Sequence, residues 1–147
     1  MIGVLIVSHG RMAAELLAAA QTIAGELPRF RALALDWSVG FEEARQRIAT
    51  AASEIEDGSG VLVLTDMFGD TPSNAAVSLH RPGRLEVVSG VNLPMVVRLG
   101  CTRAATSPDL AEVARWLELK GRRSIRRAEA AEPSTPEGPR GPERLGD

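Results

Sequence analysis

The chain has 147 residues, of which 44% are hydrophobic and 24% are charged, and this balance is typical of one ordinary globular domain. A formal net charge of −2, and apolar runs well short of the roughly 18 residues of a membrane span, argue against a nucleic-acid-binding protein and against a membrane-spanning one. With one cysteine and no leader-like segment, the protein is expected in the cytoplasm, without a disulfide framework, a metal or a bound cofactor.

Short apolar runs alternate with amphipathic helical segments along most of the chain. The apolar runs are typical of parallel strands buried between helices, and they cover residues 2–7, 30–36, 61–65 and 85–88. The helical segments have apolar residues three or four positions apart, and they cover residues 12–24, 41–55 and 71–79, a segment beginning near residue 93, and residues 110–121. This alternation predicts a three-layer, doubly wound α/β fold with a mainly parallel sheet.

The expected order of the strands determines where a site is expected. With right-handed crossovers, the chain winds from strand one to strand two on one side and returns past strand one to strand three. The predicted order is therefore 2-1-3-4, with a switch point between strands one and three, where open α/β sheets bind their ligands. His9 follows strand one and Asp66 follows strand three, so both are expected at this point.

The end of the chain differs in composition from the rest. Residues 122–127 carry four arginines and are interpreted either as the frayed end of the last helix or as a basic, antiparallel fifth strand at the sheet edge. Residues 132–147 are rich in proline and glycine, which is typical of a disordered tail. The predicted organisation is one α/β domain at residues 1–131 and a tail at residues 132–147.

His9 is the candidate nucleophile of the predicted site. A neutral imidazole, with an ordinary pKa of about 6.5, can attack phosphorus and later release the phosphoryl group, provided that one ring nitrogen is free and the other carries a hydrogen. Asp66 is the candidate for holding that second nitrogen, since a carboxylate there fixes the tautomer and stabilises the charge that develops. The alternative, a polar loop histidine and a turn-forming aspartate, is about equally compatible with position alone.

Candidate phosphate-binding residues lie in the two loops that follow these strands. They are glycines and hydroxyl residues: Gly10, Gly69, Thr71 and Ser73. Thr71 followed by Pro72 predicts a helix start with Thr71 as the N-cap, and a helix N-terminus favours a bound anion. An ordinary cap and turn would look the same, and neither a P-loop nor a GxGxxG pattern is present. Asp70 fits a turn better than a phosphate site, because a carboxylate repels phosphate.

Three motifs occur in a fixed order along the chain: VSHG at residues 7–10, TDMFGDTPSNAA at residues 65–76 and SGVNLPM at residues 89–95. Together they resemble the IIA component of the mannose/fructose/sorbose family of the bacterial phosphoenolpyruvate-dependent sugar phosphotransferase system (PTS). The resemblance covers residues 1–127. Asp70 departs from the family pattern, which has a second glycine at this position.

The resemblance implies a phosphocarrier of the PTS. The family histidine that accepts a phosphoryl group from HPr and passes it to a IIB component matches His9, and the acceptor here is expected to be a separate IIB protein. The aspartate that binds this histidine matches Asp66, and the hydroxyl residue beside the phosphate matches Thr71. The resemblance also implies a homodimer that exchanges a final antiparallel strand, at residues 121–127, and contact with the membrane only through a permease complex.

The sequence also allows three functions other than sugar uptake. The same phosphorylation could serve regulation without transport, or it could supply a dihydroxyacetone kinase, although the GVNLPM segment favours the mannose-type branch over that kinase. The third alternative is an α/β module that binds a nucleotide or another anion at the switch point without catalysis.

Overall fold

The computed structural model describes residues 1–128, and the predicted tail at residues 132–147 lies outside this range. The helices and strands alternate as expected: β1 (Gly3–His9), α1 (Met12–Ala24), β2 (Phe30–Leu35), α2 (Phe41–Ile55), β3 (Val61–Thr65), α3 (Thr71–Ser78), β4 (Leu85–Ser89), α4 (Leu93–Cys101), a short 3-10 helix (Arg103–Thr106) and α5 (Leu110–Arg123). None of the helices in residues 1–128 has the length and hydrophobicity needed to cross a membrane.

The sheet confirms the predicted topology. Its four strands are all parallel and lie in the order β2-β1-β3-β4. In the register of β1, Val7 lies opposite Leu33 of β2 and Thr65 of β3, and His9 lies opposite Leu35. The carboxyl ends of the three strands therefore meet at one edge of the sheet, on either side of the switch point.

Helices cover both faces of the sheet, which explains why β1 is apolar without alternation. Val4 and Ile6 face a core formed with α1, α4 and α5, whereas Leu5 and Val7 face a second core formed with α2 and α3. All four side chains are completely buried. A strand enclosed in this way has no solvated face, and its last residue is the first that can reach the surface.

The start of α3 corrects one prediction. Thr71 is the first helical residue and not the N-cap. The N-cap is Asp70, whose carboxylate accepts a hydrogen bond of 2.8 Å from the backbone N–H of Ser73. Both aspartate and threonine are good N-caps, so residue type alone did not distinguish two neighbouring positions.

The predicted fifth strand is not part of the sheet in the described range. Helix α5 continues to Arg123, two residues beyond its expected end, and residues 125–128 form no strand. Arg122 pairs with Glu118 one turn earlier at 2.8 Å, and the N–H of Ser124 bonds to the carbonyl of Lys120. Basic side chains also suit the negative end of the helix dipole, so these arginines extend the helix.

Gly60, just before β3, provides a test of the packing at the opposite end of the sheet. Its φ is +91°, and an added Cβ would lie 2.9 Å from Leu110 Cδ2 and 3.1 Å from the Arg84 carbonyl oxygen. We expect Gly60→Ala to lower the free energy of unfolding by about 2–5 kcal/mol, the sum of backbone strain and overpacking.

Gly58→Ala is the matched control, because Gly58 has a similar φ of +102° but no atom within 4 Å of the added Cβ. This variant should lower the free energy of unfolding by the backbone strain alone, which is about 1–2 kcal/mol. Urea denaturation of both variants measures the difference. Equal losses would show that the contacts at Gly60 contribute nothing.

Candidate active site

The two predicted site residues lie in direct contact at the carboxyl ends of the central strands. His9 is the last residue of β1, and Asp66 is the first residue after β3. Asp66 Oδ2 lies 3.1 Å from His9 Nδ1 and also accepts a hydrogen bond of 2.9 Å from the backbone N–H of His9. Asp66 Oδ1 accepts from the N–H of Met67. The carboxylate is thus fixed by three contacts, and it fixes the imidazole in turn.

The protonation of Asp66 determines the tautomer of His9. Partial burial acts to raise the pKa of Asp66, but the hydrogen bonds that its carboxylate accepts outweigh this, and the pKa lies below its ordinary value. Asp66 is therefore ionised at neutral pH and can only accept, so the neutral ring carries its hydrogen on Nδ1. Among the described residues Nε2 has no hydrogen-bond partner, and its lone pair is available.

Trp37 forms a wall of the site that the sequence analysis did not identify. Its ring stacks on His9 with a centroid separation of 4.1 Å and an interplanar angle of 11°. The side chain is 77% exposed, so this contact is not part of the hydrophobic core. Trp37 follows β2, which is the neighbour of β1. The predicted strand order therefore placed the loop with this tryptophan beside the loop with His9, and this was the sequence signal that could have identified Trp37.

Asp70 belongs to the same cluster although its sequence position suggested only a turn. Its Oδ1 caps α3, and its Oδ2 lies 3.2 Å from His9 Nδ1. Burial raises the pKa of Asp70, the hydrogen bond from Ser73 partly offsets this, and the charge of Asp66 raises it further. The His9 ring therefore has two carboxyl groups at its Nδ1 edge and an aromatic ring on one face.

The four predicted phosphate-binding residues have different environments. The N–H of Gly10 is bonded to the carbonyl of Leu35, and the N–H of Gly69 donates to the hydroxyl of Ser73 at 3.3 Å. Ser73 is completely buried. Thr71 is half-buried at the first position of α3, where the backbone N–H has no intrahelical partner. Of the four, Thr71 is the residue best placed to contact an anion.

Two other polar residues have structural roles. Asn92 caps α4 by accepting from the N–H of Met95 at 3.1 Å, and asparagine is a preferred N-cap residue. His80 lies just beyond α3, where its Nε2 is 2.8 Å from Glu86 Oε2. His80 is not in contact with the His9 cluster, and it is the second of only two histidines in the chain.

Comparisons with known proteins agree with the fold and with the family that the sequence resembles. Residues 3–116 match a protein family described as PTS system fructose IIA component. The chain is 32% identical to the PTS system fructose-specific EIIA component of Bacillus subtilis over 100 residues, which cover 67% of this chain and 68% of that protein. It is 30% identical to the sorbose-specific EIIA component of Lacticaseibacillus casei, over 65% of this chain and 70% of that one.

A solved structure shares the architecture. The mannose/sorbose-specific IIA subunit of the phosphotransferase system from Enterococcus faecalis superposes with a TM-score of 0.76 at 28% sequence identity. The match covers 90% of this chain and 98% of that subunit.

Proposed function

Because the chain belongs to the fructose IIA component family of the sugar phosphotransferase system, we propose that it is a histidine phosphocarrier. In this proposal His9 accepts a phosphoryl group from phospho-HPr and passes it to a separate IIB component during sugar uptake. The reaction takes place in the cytoplasm, and the protein meets the membrane only through a permease complex.

The contact between His9 and Asp66 is the observation that carries the proposal. The Nε2 lone pair attacks the phosphorus, a new P–N bond forms, and the bond from phosphorus to the donor breaks with its electron pair leaving on the donor. The ring becomes positively charged as this happens, and the ionised Asp66, 3.1 Å from Nδ1, stabilises that charge. Transfer to IIB is the same step in reverse, with IIB as the nucleophile.

Thr71 is the residue proposed to hold the phosphoryl oxygens. Its backbone N–H lies at the start of α3, and its hydroxyl has no hydrogen-bond partner among the described residues. Gly10, Gly69 and Ser73 support the loops around this position through the hydrogen bonds described above, and contact of these three with phosphate remains a prediction.

Exposed apolar side chains around His9 support a protein as the phosphoryl donor. Trp37 and Phe68 are 77% and 80% exposed, and Met12 and Met67 are also exposed. All four lie in, or just after, the loops that follow β1, β2 and β3. Apolar groups grouped at one edge of a sheet favour docking of another protein over binding of a small, charged phosphate donor alone.

Trp37→Ala should lower the second-order rate of phosphoryl transfer from phospho-HPr by about 3- to 10-fold, the range expected for loss of one aromatic stacking contact. The cause is a less restricted His9 ring and a smaller docking surface. Phe41→Ala is the matched control, because Phe41 is an exposed aromatic residue at the start of α2 that does not touch His9. Rapid-quench kinetics measure both rates, and an equal loss in the two variants would contradict the role of Trp37.

The proposal is tested by incubating the protein with phosphoenolpyruvate, enzyme I and HPr. We expect an acid-labile phosphoryl adduct that forms only when HPr is present. Absence of labelling, or an acid-stable adduct, would contradict a histidine phosphocarrier.

A homodimer is the assembly proposed for this protein. β4 is an edge strand, and beside it runs a groove in which Val87 of β4 lies near Phe68 and Ile125, both of which are 80% exposed. Helix α5 lines the other side of the groove with the charged residues Glu118 and Arg122. A second copy would cover both the strand edge and these side chains. Light scattering of the full chain should give twice the mass of one chain, and a monomer at micromolar concentration would contradict this assembly.

A further inference from the structure

Three potential metal ligands converge at the Nδ1 edge of His9. One ligand atom each from His9, Asp66 and Asp70 lies within 4.8 Å of the others. The Nδ1 atom is 3.1 Å from Asp66 Oδ2 and 3.2 Å from Asp70 Oδ2. A tetrahedral Zn²⁺ ion with bonds of about 2.0–2.1 Å separates its donor atoms by about 3.3–3.4 Å. The two distances therefore need to lengthen by only a few tenths of an ångström to fit such an ion.

Asp70 supplies an independent reason to expect a cation here. Its side chain is only 8% exposed, and Oδ1 is used to cap α3. Its Oδ2 lies 3.2 Å from His9 Nδ1 but accepts no well-formed hydrogen bond from the described residues. Asp66 Oδ2 and Asp70 Oδ2 both face His9 Nδ1, so the two carboxylates share one imidazole nitrogen. Two ionised carboxylates that face the same nitrogen repel each other, and burial adds to the cost of their charge, so a bound cation at this point stabilises them.

We propose that His9, Asp66 and Asp70 form a binding site for one divalent cation of the zinc class. One imidazole nitrogen combined with two carboxylate oxygens suits Zn²⁺ better than Mg²⁺ or Ca²⁺, which take oxygen ligands almost exclusively. Three protein ligands leave the fourth position to water. The site depends on Asp70, because His9 and Asp66 alone supply only two of the three ligand atoms.

Metal binding at this site changes the tautomer of His9. The ion takes the Nδ1 lone pair, and the hydrogen that Nδ1 carries in the metal-free ring moves, through solvent, to Nε2. The ring stays neutral and no proton is lost from it. The nitrogen available for attack on phosphorus is then protonated. Metal binding and phosphorylation of His9 therefore exclude each other, whereas metal binding itself does not depend on the proposed function.

The test uses the purified full chain without any phosphoryl donor. Zn²⁺ is titrated in competition with a chromophoric chelator, and we expect one tight equivalent for the wild-type protein. Asp70→Asn keeps an N-cap for α3 but removes the charged ligand. It should weaken binding by at least about 100-fold, because losing even a supporting group around a metal commonly costs 10- to 100-fold. His80→Gln, which removes the other histidine, is the matched control and should bind as the wild type does.

A second readout uses the wild-type protein, so it does not depend on whether a variant folds. Long-range nitrogen–proton NMR of the wild-type imidazoles should show His9 with its hydrogen on Nδ1 before zinc is added and on Nε2 afterwards, with the His80 signals unchanged. Asp70→Gly, which removes the carboxyl group altogether, should show no such change. The proposal is overturned if the wild type binds no stoichiometric zinc, if Asp70→Asn binds zinc equally well, or if His9 keeps its hydrogen on Nδ1. None of these results depends on phosphorylation, so a failure of the proposed function would be seen separately.

Discussion

Asp66→Asn is expected to slow phosphorylation of His9 by about 10²- to 10⁴-fold while leaving the protein folded. The asparagine side chain can turn its NH₂ group toward Nδ1, which favours the tautomer with the hydrogen on Nε2 and removes the attacking lone pair. It also lacks the charge that stabilises the ring when the phosphoryl group arrives. In the wild type Asp66 Oδ2 also accepts from the backbone N–H of His9 at 2.9 Å, so an amide NH₂ group in this position loses that contact as well.

Asp109→Asn is the control for a general effect of losing a carboxylate. Asp109 caps α5 by accepting from the N–H of Glu112, and asparagine is an equally good cap. Single-turnover rates with phospho-HPr, together with thermal unfolding of both variants, separate chemistry from stability. If the phosphorylation rate of Asp66→Asn is within a factor of about 2 of the wild-type rate, Asp66 does not orient His9, because the loss of a general acid–base partner lowers a rate far more than this.

His9→Gln should abolish labelling completely. Glutamine has a similar length and polarity, but its amide nitrogen has no lone pair that can attack phosphorus. The imidazole side chain is only 14% exposed, yet it lies at the end of β1 and not in the hydrophobic core, so its replacement should leave the fold intact. Mass spectrometry after incubation with the complete donor system, and circular dichroism of the unlabelled protein, measure the two properties.

His80→Gln is the matched variant for this experiment. It removes the other histidine, which contacts Glu86 beyond α3, and should be labelled at the wild-type rate. If labelling persists in His9→Gln and disappears in His80→Gln, then His80 carries the phosphoryl group, and the proposed mechanism is wrong.

The contact between His9 and Asp66 could be predicted from the sequence because it depends on topology. Apolar runs without alternation indicated buried parallel strands, and right-handed crossovers then placed strands one and three side by side. Two residues that follow adjacent parallel strands must lie at the same edge of the sheet. The prediction therefore depended on the order of the strands and not on the residues next to His9 or Asp66 in the sequence.

Trp37 and Asp70 were not assigned to the site, because strand order places their loops at the right edge of the sheet but does not say which side chains reach His9. The position of Trp37 depends on the conformation of a loop, where Asp36 accepts from both the N–H and the hydroxyl of Ser38, and a loop conformation has no periodicity from which to predict it. Asp70 has two roles with one carboxyl group, because one oxygen caps α3 and the other faces His9. A sequence pattern identifies the cap but does not reveal where the second oxygen points.

The arginine-rich end of α5 was ambiguous for a different reason. A short segment with two pairs of arginines and a single large apolar side chain, Ile125, has no clear period and is compatible with both a helix end and an edge strand. The helix forms because residues 110–121 already establish an amphipathic face and Arg122 continues it with a pair to Glu118. The family resemblance also implies that the two chains of a homodimer exchange this segment as a strand. That exchange remains a prediction.

The position of the phosphoryl group on His9 tests the central claim most directly. Multinuclear NMR of the isotope-labelled phosphoprotein distinguishes phosphorylation at Nε2 from phosphorylation at Nδ1 and identifies which histidine is modified. We expect a single phosphoryl group on Nε2 of His9, with the hydrogen retained on Nδ1 and bonded to Asp66. A phosphoryl group on Nδ1, on His80 or on another side chain would contradict the mechanism.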